Sequence, residues 1–204
     1  MRKYELSISV DYVPSWGIVE GVREFFQNAI DEETRDSSNK MMFSYDADRE
    51  VLQIGNKHSE LDIKSLLFGN TTKDKDAEMI GNHGEGYKIA TVVLLRNNKQ
   101  VTFYNYCRRE IWRPKLVKSR KYDGMMVPIF FVETAAVWKK IPEHSLIIEI
   151  EGITPEEYEL VKAANLHLQD GYEKEHTMYG DILKEKRFVG KVFVGGLYIC
   201  DEPR

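Results

Sequence analysis

The sequence is poor in cysteine and has no long apolar run. Only two of its 204 residues are cysteines, Cys107 and Cys200, and neither belongs to a CxxC spacing. This argues against a disulfide framework or a zinc site and favours two buried, reduced thiols. No apolar stretch reaches the roughly 18 residues of a membrane-spanning helix. The first residues, MRKYELSISVDY, alternate charged and apolar side chains, so we expect no secretory signal and a cytoplasmic location.

An excess of positive charge is also absent. The 29 Lys and Arg are outnumbered by 33 Asp and Glu, which gives a formal net charge of -4 and disfavours nucleic acid as the main ligand. One stretch, from Tyr106 to Tyr122, is locally basic and contains Trp112. We interpret it as a solvated loop between strands. The alternative is a nucleic-acid surface, which salt-dependent DNA binding would reveal.

Proline is scarce, with six residues, and no repeat, low-complexity tract or linker interrupts the chain. A hydrophobic fraction of 42% and a charged fraction of 30% are ordinary for a globular protein. We therefore predict a single domain over residues 1–204, with its main motifs in 15–105 and strands, a helix and a hairpin in 127–200.

Hydrophobic periodicity predicts the elements of the first half. A helix is expected over Ile18 to Arg35, because apolar residues recur on one side at helical spacing. A strand should follow at 51–54 and end at Gly55-Asn56. A second helix is expected at 89–95, directly after a glycine-rich loop, and a strand at 101–104.

The second half is predicted to be rich in strands. Runs at 127–132 and 146–150 favour β structure, and Gly195-Gly196 predicts a tight hairpin turn. Thr154-Pro155-Glu156-Glu157 is a capping box with proline at the first helical position, so a helix to about Leu168 should follow. Together the elements predict an α+β fold, a two-layer sandwich with helices on one face of a mixed, mostly antiparallel sheet.

The first candidate site lies on the first helix. Glu24, Asn28 and Asp31 fall within about 60° of one another around the helix axis. They lie opposite the apolar side, so we expect them to point away from the core. Asn28 offers an oxygen of the kind that Mg²⁺ prefers, and Glu24 could accept a proton from an attacking water. The alternative is the ordinary polar face of an amphipathic helix.

The second candidate site is the glycine-rich segment from Gly81 through Gly84 and Gly86 to Lys88. Such glycines let the backbone approach phosphates closely, and the following helix presents free N–H groups to them. The spacing matches neither a Walker loop nor the dinucleotide fingerprint. A purely structural glycine loop is the alternative.

Two further polar features complete the set. Asn56, at a strand end, is placed to hydrogen-bond a base edge. Thr71, Thr72 and Lys73 form a turn whose hydroxyls and ammonium could contact phosphate. Each can also be explained as an ordinary polar loop residue.

Taken in order, these segments resemble the nucleotide-binding motifs of the gyrase, heat-shock chaperone, histidine kinase and mismatch-repair ATPase superfamily, called GHKL. Residues 24–31 are similar to its N box, E-x-x-x-N-A-x-D, and residues 81–88 to its glycine box. The resemblance implies the Bergerat fold and a site for ATP and Mg²⁺ under a mobile lid near residues 57–80. It assigns Glu24 as general base, Asn28 as Mg²⁺ ligand and Asp31 as a supporting residue, and it implies that the three glycines wrap the phosphates.

The adenine end departs from the superfamily pattern. The usual D-x-G-x-G corresponds here to Asn56-Lys-His-Ser-Glu60, which lacks both glycines and has Asn in place of Asp. An Asn side chain can still accept from the adenine amino group and donate to a ring nitrogen. In its wider context the segment 16–90 looks most like the N-terminal ATPase region of phage rIIA-like proteins, which implies a phage-encoded protein in the host cytoplasm.

The resemblance implies a Mg²⁺-dependent ATP-binding protein with slow ATPase activity, coupled to lid ordering or to a change in shape or oligomeric state. It further implies a protein partner and a possible homodimer, with Lys73 or Lys88 replacing the lysine that related proteins take from a following domain. The alternative is a degenerate member of the superfamily that binds and modulates a host partner without turning over ATP. The missing glycines and Asn56 favour that alternative.

Overall fold

A computed structural model describes residues 1–63, 85–135 and 143–202. In these ranges the chain forms three α-helices, which are α1 (Ile18–Arg35), α2 (Gly86–Arg96) and α3 (Pro155–Ala163). The strands of the main sheet are β1 (Arg2–Glu5), β2 (Met41–Asp46), β3 (Val51–Asn56), β4 (Gln100–Asn105), β5 (Glu110–Lys118), β6 (Met126–Thr134) and β7 (Leu146–Glu151). Four short strands form two hairpins, β8 (Lys174–Thr177) with β9 (Gly180–Leu183) and β10 (Lys191–Val194) with β11 (Leu197–Asp201).

The seven strands of the main sheet lie in the order β1-β6-β5-β4-β7-β3-β2. Every neighbouring pair is antiparallel, so the sheet that was expected to be mixed is antiparallel throughout its described strands. The register places Asn56 of β3 and Asn105 of β4 on either side of Leu146 of β7. These three residues form one row across the sheet.

The hydrophobic core lies between the sheet and the helices on one of its faces. Phe25 and Phe26 of α1 are fully buried against this face, together with Ile54, Phe103 and Ile150 from three strands. The alternate positions of the same strands lie on the opposite face. The α+β sandwich predicted from the sequence is therefore confirmed.

That opposite face carries polar side chains that bond to one another. Gln53 Nε2 donates to Glu149 Oε2 at 2.7 Å, and Tyr104 Oη donates to Glu149 Oε1 at 3.1 Å. Burial, followed by the charge of Glu149, raises the pKa of Tyr104 to about 12, so its phenol stays protonated and keeps donating.

Helix α1 has the bounds that the sequence predicted. The backbone N–H of Gly17 donates to Glu20 Oε2 at 2.8 Å at its N-terminus. A Cβ at Gly21 would lie only 3.0 Å from Leu94 Cγ of α2, so the absence of a side chain lets the two helices pack closely. Strand β3 also needs glycine at position 55, because a Cβ there would lie 2.2 Å from the carbonyl oxygen of Leu146 in the neighbouring strand β7.

The helix and the hairpin predicted in the C-terminal half are both present, but the helix is shorter than predicted. Thr154 and Glu157 form the expected capping box, but α3 ends at Ala163 instead of near Leu168. A separate 3-10 turn occupies Leu166–Leu168, because the side chain of Asn165 accepts a hydrogen bond from the backbone N–H of His167 and starts a new turn. The predicted β10–β11 hairpin is confirmed, with both turn glycines at positive φ, 56° and 82°.

The basic and aromatic segment is not a loop, as the sequence interpretation had it. Its main part is strand β5, paired with β4 and β6 inside the main sheet. Trp112 is fully buried and donates to Glu110 Oε2 at 2.9 Å, so it cannot stack on a nucleic-acid base. Arg113, on the opposite face, pairs with Glu133 at 2.9 Å. In the sequence, Trp112, Pro114 and Leu116 alternate with charged Arg113 and Lys115, and this period of two was the signal for a strand.

Two smaller expectations have clear outcomes. Cys107 and Cys200 are both free thiols, as predicted, but they are exposed instead of buried. Among the helices of the described ranges, none combines the length and apolarity needed to cross a membrane.

Candidate functional site

The three polar residues of α1 share one side of the helix, but they do not all point away from the protein interior. Asn28 is 9% exposed and Asp31 only 1% exposed. Gly86, in the first turn of α2, packs against Asn28 and Glu24 on this side of α1. The prediction of an outward polar face is wrong for Asn28 and Asp31, because both are buried.

Gly86, the first residue of α2, is the point of closest approach. A Cβ at this position would lie 3.0 Å from Asn28 Nδ2 and 3.1 Å from Glu24 Oε2. The N-box residues and the last glycine of the glycine-rich segment are thus neighbours in space, although nearly sixty residues of chain separate them. Only a residue without a side chain leaves this space open.

The side chains of Asn28 and Glu24 have defined partners. Asn28 Nδ2 donates to the backbone carbonyl oxygen of Glu24 at 2.7 Å, which fixes the orientation of the amide and makes Oδ1 the atom able to ligate a cation. Glu24 Oε1 lies 3.3 Å from Arg23 Nη2 in an ion pair whose side chains are only 16% and 15% exposed. This pair places a positive charge beside the candidate base.

Asn56 is buried at the end of β3 and holds two backbone segments. Its Nδ2 donates to the carbonyl oxygens of Ala29 at 2.9 Å and Asn39 at 3.3 Å. The expectation that this amide group donates to a base ring nitrogen therefore does not fit, because its protons are already bonded. The described hydrogen bonds of this side chain all use Nδ2, so Oδ1 retains its acceptor capacity.

Asn105 is a residue that the sequence interpretation missed. It is fully buried one strand beyond Leu146, and its Nδ2 donates to the carbonyl oxygen of Leu61 at 2.7 Å. Its Oδ1 is the one buried side-chain oxygen in the described part of the chain that has no hydrogen-bond partner. A polar residue at a strand end, the same signal that singled out Asn56, could have identified it.

The segment expected to begin a mobile lid at residue 57 is fixed to the sheet as far as residue 63. The backbone N–H of His58 donates to Asn39 Oδ1 at 2.7 Å, and Ser145 Oγ donates to the carbonyl oxygen of Ser59 at 2.6 Å. Leu61 and Ile63 are buried in the core cluster. The remainder of the expected lid lies outside the described residues, as do Thr71, Thr72, Lys73, Gly81 and Gly84.

The residues that follow Gly86 differ in role. Lys88 Nζ lies 3.5 Å from Glu85 Oε1, one turn away on α2, so its ammonium remains near the start of this helix. Tyr87 packs against Phe25 with ring centroids 5.9 Å apart. Burial, followed by the negative charges of Glu32 and Asp31, raises the pKa of Tyr87, which keeps its phenol neutral.

The donor set fits a nucleotide better than a fully protein-bound metal. Within the described residues there is no group of three or more His, Cys, Asp or Glu placed to hold a metal ion. The Asn28 side-chain amide, whose nitrogen lies beside Gly86 at a helix N-terminus, instead suits an anion together with a cation that takes most of its ligands from phosphate and water. The space that a Cβ at Gly86 would fill is where such a group would approach.

Comparison with known proteins gives one relative by sequence. No protein-family model matches the chain. An uncharacterized protein of Mycoplasma pneumoniae is 28% identical over 210 residues, an alignment that covers 98% of this chain and 79% of the relative.

Comparison with solved structures gives type II topoisomerases. The ATPase region of Saccharomyces cerevisiae topoisomerase II bound to ICRF-187 (dexrazoxane) matches with a TM-score of 0.40 and 16% identity, covering 67% of this chain. The ATPase and transducer domains of DNA topoisomerase II from Balamuthia mandrillaris match with a TM-score of 0.41 and 16% identity, also over 67% of this chain. The alignments span only 38% and 37% of those two chains.

Proposed function

We propose that this chain is an ATP-binding domain of the GHKL type that hydrolyses ATP slowly with Mg²⁺. The observation that carries the proposal is the meeting of Glu24, Asn28 and Gly86 at the junction of α1 and α2. A carboxylate, an amide oxygen and an open helix N-terminus are the groups that a nucleotide triphosphate and its cation need in one place. The sequence order and spacing of the two motifs add independent support.

The phosphates would bind at the N-terminus of α2. Its first backbone N–H groups have no partner within the helix, and the helix dipole favours an anion there. Gly86 leaves room for a phosphate to approach the backbone, and Gly81 and Gly84 belong to the same proposed cradle together with Lys88. Thr71, Thr72 and Lys73 are proposed as further phosphate contacts.

The base would be recognised by Asn56 Oδ1. Because Nδ2 is bonded to backbone carbonyls, Asn56 can offer a base only an acceptor. The 6-amino group of adenine donates to such an acceptor, whereas guanine presents a carbonyl oxygen at the same position. We therefore propose ATP over GTP as the ligand.

Hydrolysis would use Glu24 as the general base. Its carboxylate accepts a proton as the water oxygen bonds to the γ-phosphorus, and the bond from that phosphorus to the bridging oxygen of ADP breaks. The guanidinium of Arg23, 3.3 Å away, would hold the carboxylate in place for this step. Bound Mg²⁺, held in part through Asn28 Oδ1, would offset the negative charge of the phosphates, and Asp31 would support the site from behind.

Turnover would be coupled to the ordering of the lid over the nucleotide and to a change in shape or oligomeric state. A protein partner and a homodimer belong to this proposal. The single-domain organisation, the cytoplasmic location and the phage rIIA-like subgroup remain predictions from the sequence alone.

The test is calorimetric titration with a non-hydrolysable ATP analogue, with and without Mg²⁺ and with GTP as competitor. Asn28→Ala should weaken Mg²⁺-dependent binding. Asn97→Ala is the matched control, because Asn97 Nδ2 also donates to a carbonyl oxygen one turn back, that of Val93 at 2.7 Å, but at the far end of α2. Equal effects of the two substitutions would contradict the proposed site.

A second candidate function is an interaction protein with this fold that does not turn over nucleotide. The β8–β9 hairpin favours it, because Met178 and Tyr179 at its tip are 87% and 91% exposed. Large apolar side chains presented in this way are typical of a protein-contact site. Absence of binding at millimolar ATP analogue would support this candidate over the first.

A further inference from the structure

Arg23 contacts its neighbour Glu24, the ring of Trp16 just before α1, and strand β11, which is far away in sequence. Its Nη2 lies 3.3 Å from Glu24 Oε1, and its Nη1 donates to the carbonyl oxygen of Tyr198 in β11 at 3.3 Å. Its guanidinium carbon also lies 5.1 Å from the centroid of the Trp16 ring. The side chain is 15% exposed, so these contacts are largely shielded from water.

The ion pair with Glu24 is not one that helix geometry provides by itself. Adjacent residues point about 100° apart around an α-helix, so neighbouring side chains do not normally meet. The Tyr198 carbonyl and the Trp16 ring hold the guanidinium on the side where the Glu24 carboxylate can reach it. The carboxylate orientation thus depends on groups outside α1.

The Tyr198 carbonyl has a fixed position because the start of β11 is tied to the end of α3. The backbone N–H of Tyr198 donates to the carbonyl oxygen of Ala164 at 2.9 Å, and that of Leu166 donates to Gly196 at 2.8 Å. Leu197, next to Tyr198, is buried in the hydrophobic core. A shift of the β10–β11 hairpin would therefore move the acceptor that positions Arg23.

We propose that Arg23 is a positioning residue that couples the β10–β11 hairpin to the Glu24 carboxylate. The hairpin holds the guanidinium, and the guanidinium orients the carboxylate that is to accept a proton from water. A partner that displaces the hairpin would change the rate of hydrolysis without touching the nucleotide. The proposal rests on the role of Glu24 as general base in the proposed function.

Arg23 is the partner of the Glu24 carboxylate that also reaches β11, so its removal should uncouple that carboxylate from the hairpin.

The first test compares Arg23→Gln, Arg23→Lys and the control Arg35→Gln. Arg35 also pairs with a glutamate of α1, Glu32, but at the far end of the helix. Arg23→Gln should lower kcat at least about tenfold, because a carboxylate released from the guanidinium leaves the position in which it meets the attacking water. Affinity for the ATP analogue should remain near that of the wild type. Arg23→Lys should recover part of the loss, and Arg35→Gln should change nothing.

The second test moves the hairpin instead of the arginine. A Cβ at Gly196 would lie 2.5 Å from His167 Nε2, so Gly196→Ala should displace the start of β11. Gly124→Ala is the matched control, because both glycines have a φ of +82° but nothing lies within 4 Å of the Cβ position at Gly124. Gly196→Ala should lower kcat in the same direction as Arg23→Gln, and Gly124→Ala should not.

A measurement independent of hydrolysis separates this inference from the proposed function. In carboxyl-labelled protein at one fixed neutral pH, the NMR signal of the Glu24 carboxyl carbon should shift in Arg23→Gln and in Gly196→Ala and stay in place in Gly124→Ala. If the wild type fails to hydrolyse ATP, the proposed function is wrong, and the carboxyl signal still decides the coupling. An unchanged carboxyl signal and unchanged kcat in a folded Arg23→Gln protein would overturn the inference, and Arg23→Lys serves if that variant does not fold.

Discussion

Gly86 lies so close to Asn28 that a single added methyl group would stand 3.0 Å from the amide nitrogen. This contact brings the two halves of the candidate site together. It also defines the first prediction, since the smallest possible side chain should disturb the site.

Gly86→Ala should weaken binding of the ATP analogue about tenfold or more by displacing Asn28 and Glu24 from the helix junction. The backbone should accept alanine, because Gly86 is helical and its φ is not positive. Thermal melting should therefore show a folded protein while calorimetry shows weakened binding. Wild-type affinity in this variant would argue against a cradle at the N-terminus of α2.

Glu24→Gln should lower the ATPase rate about 100- to 10,000-fold, the usual contribution of a general base, while leaving analogue binding intact. Glutamine keeps the size of the side chain but cannot accept the proton of water. Glu159→Gln is the control, since Glu159 is an exposed glutamate on α3. Turnover that survives in Glu24→Gln would remove Glu24 from the mechanism.

Asn56→Asp should destabilise the fold by about 1–3 kcal/mol, although it restores the residue type that the superfamily pattern has at this position. A carboxylate cannot donate, so the carbonyl oxygens of Ala29 and Asn39 would lose their partner in a buried place. Chemical denaturation measures the change. A variant as stable as the wild type would show that these two hydrogen bonds contribute little.

The stability of the protein should depend on Glu33 in a defined pH range. Hydrogen bonds from Lys40 and then from the Met41 N–H lower the pKa of Glu33 below its ordinary value of 4.5. Because the folded pKa is below the unfolded one, the ionised carboxylate stabilises the fold above pH 4.5, and this contribution disappears as the pH falls through the folded pKa.

Denaturation of wild type and Glu33→Gln should accordingly differ at neutral pH, and the difference should vanish well below pH 4.5. Glu159 on α3 is exposed, so Glu159→Gln is the control, and its difference in stability from the wild type should not depend on pH. A difference in unfolding free energy between wild type and Glu33→Gln that stays constant across this pH range would mean that the stabilisation does not come from ionisation.

Local signals in the sequence predicted most elements of the fold. The period of apolar residues gave α1 its observed bounds, and the capping box at Thr154 and the glycine pair at 195–196 marked a helix start and a hairpin. Prediction failed where a side chain outside the regular pattern decided the outcome. Asn165 ended the helical region by capping a new turn, and charged residues on the outer face hid strand β5.

The sequence by itself determined which groups could form a site, because Glu24 and Asn28 share a helix face at any position of that helix in the fold. Only the tertiary structure decided what that face contacts. Packing of α2 at Gly86 brings a helix N-terminus against Asn28 and Glu24, and the sheet register places Asn105 in one row with Leu146 and Asn56. Arg23 gains its partner Tyr198 in the same way. Such contacts join residues far apart along the chain, and neither periodicity nor spacing carries information about them.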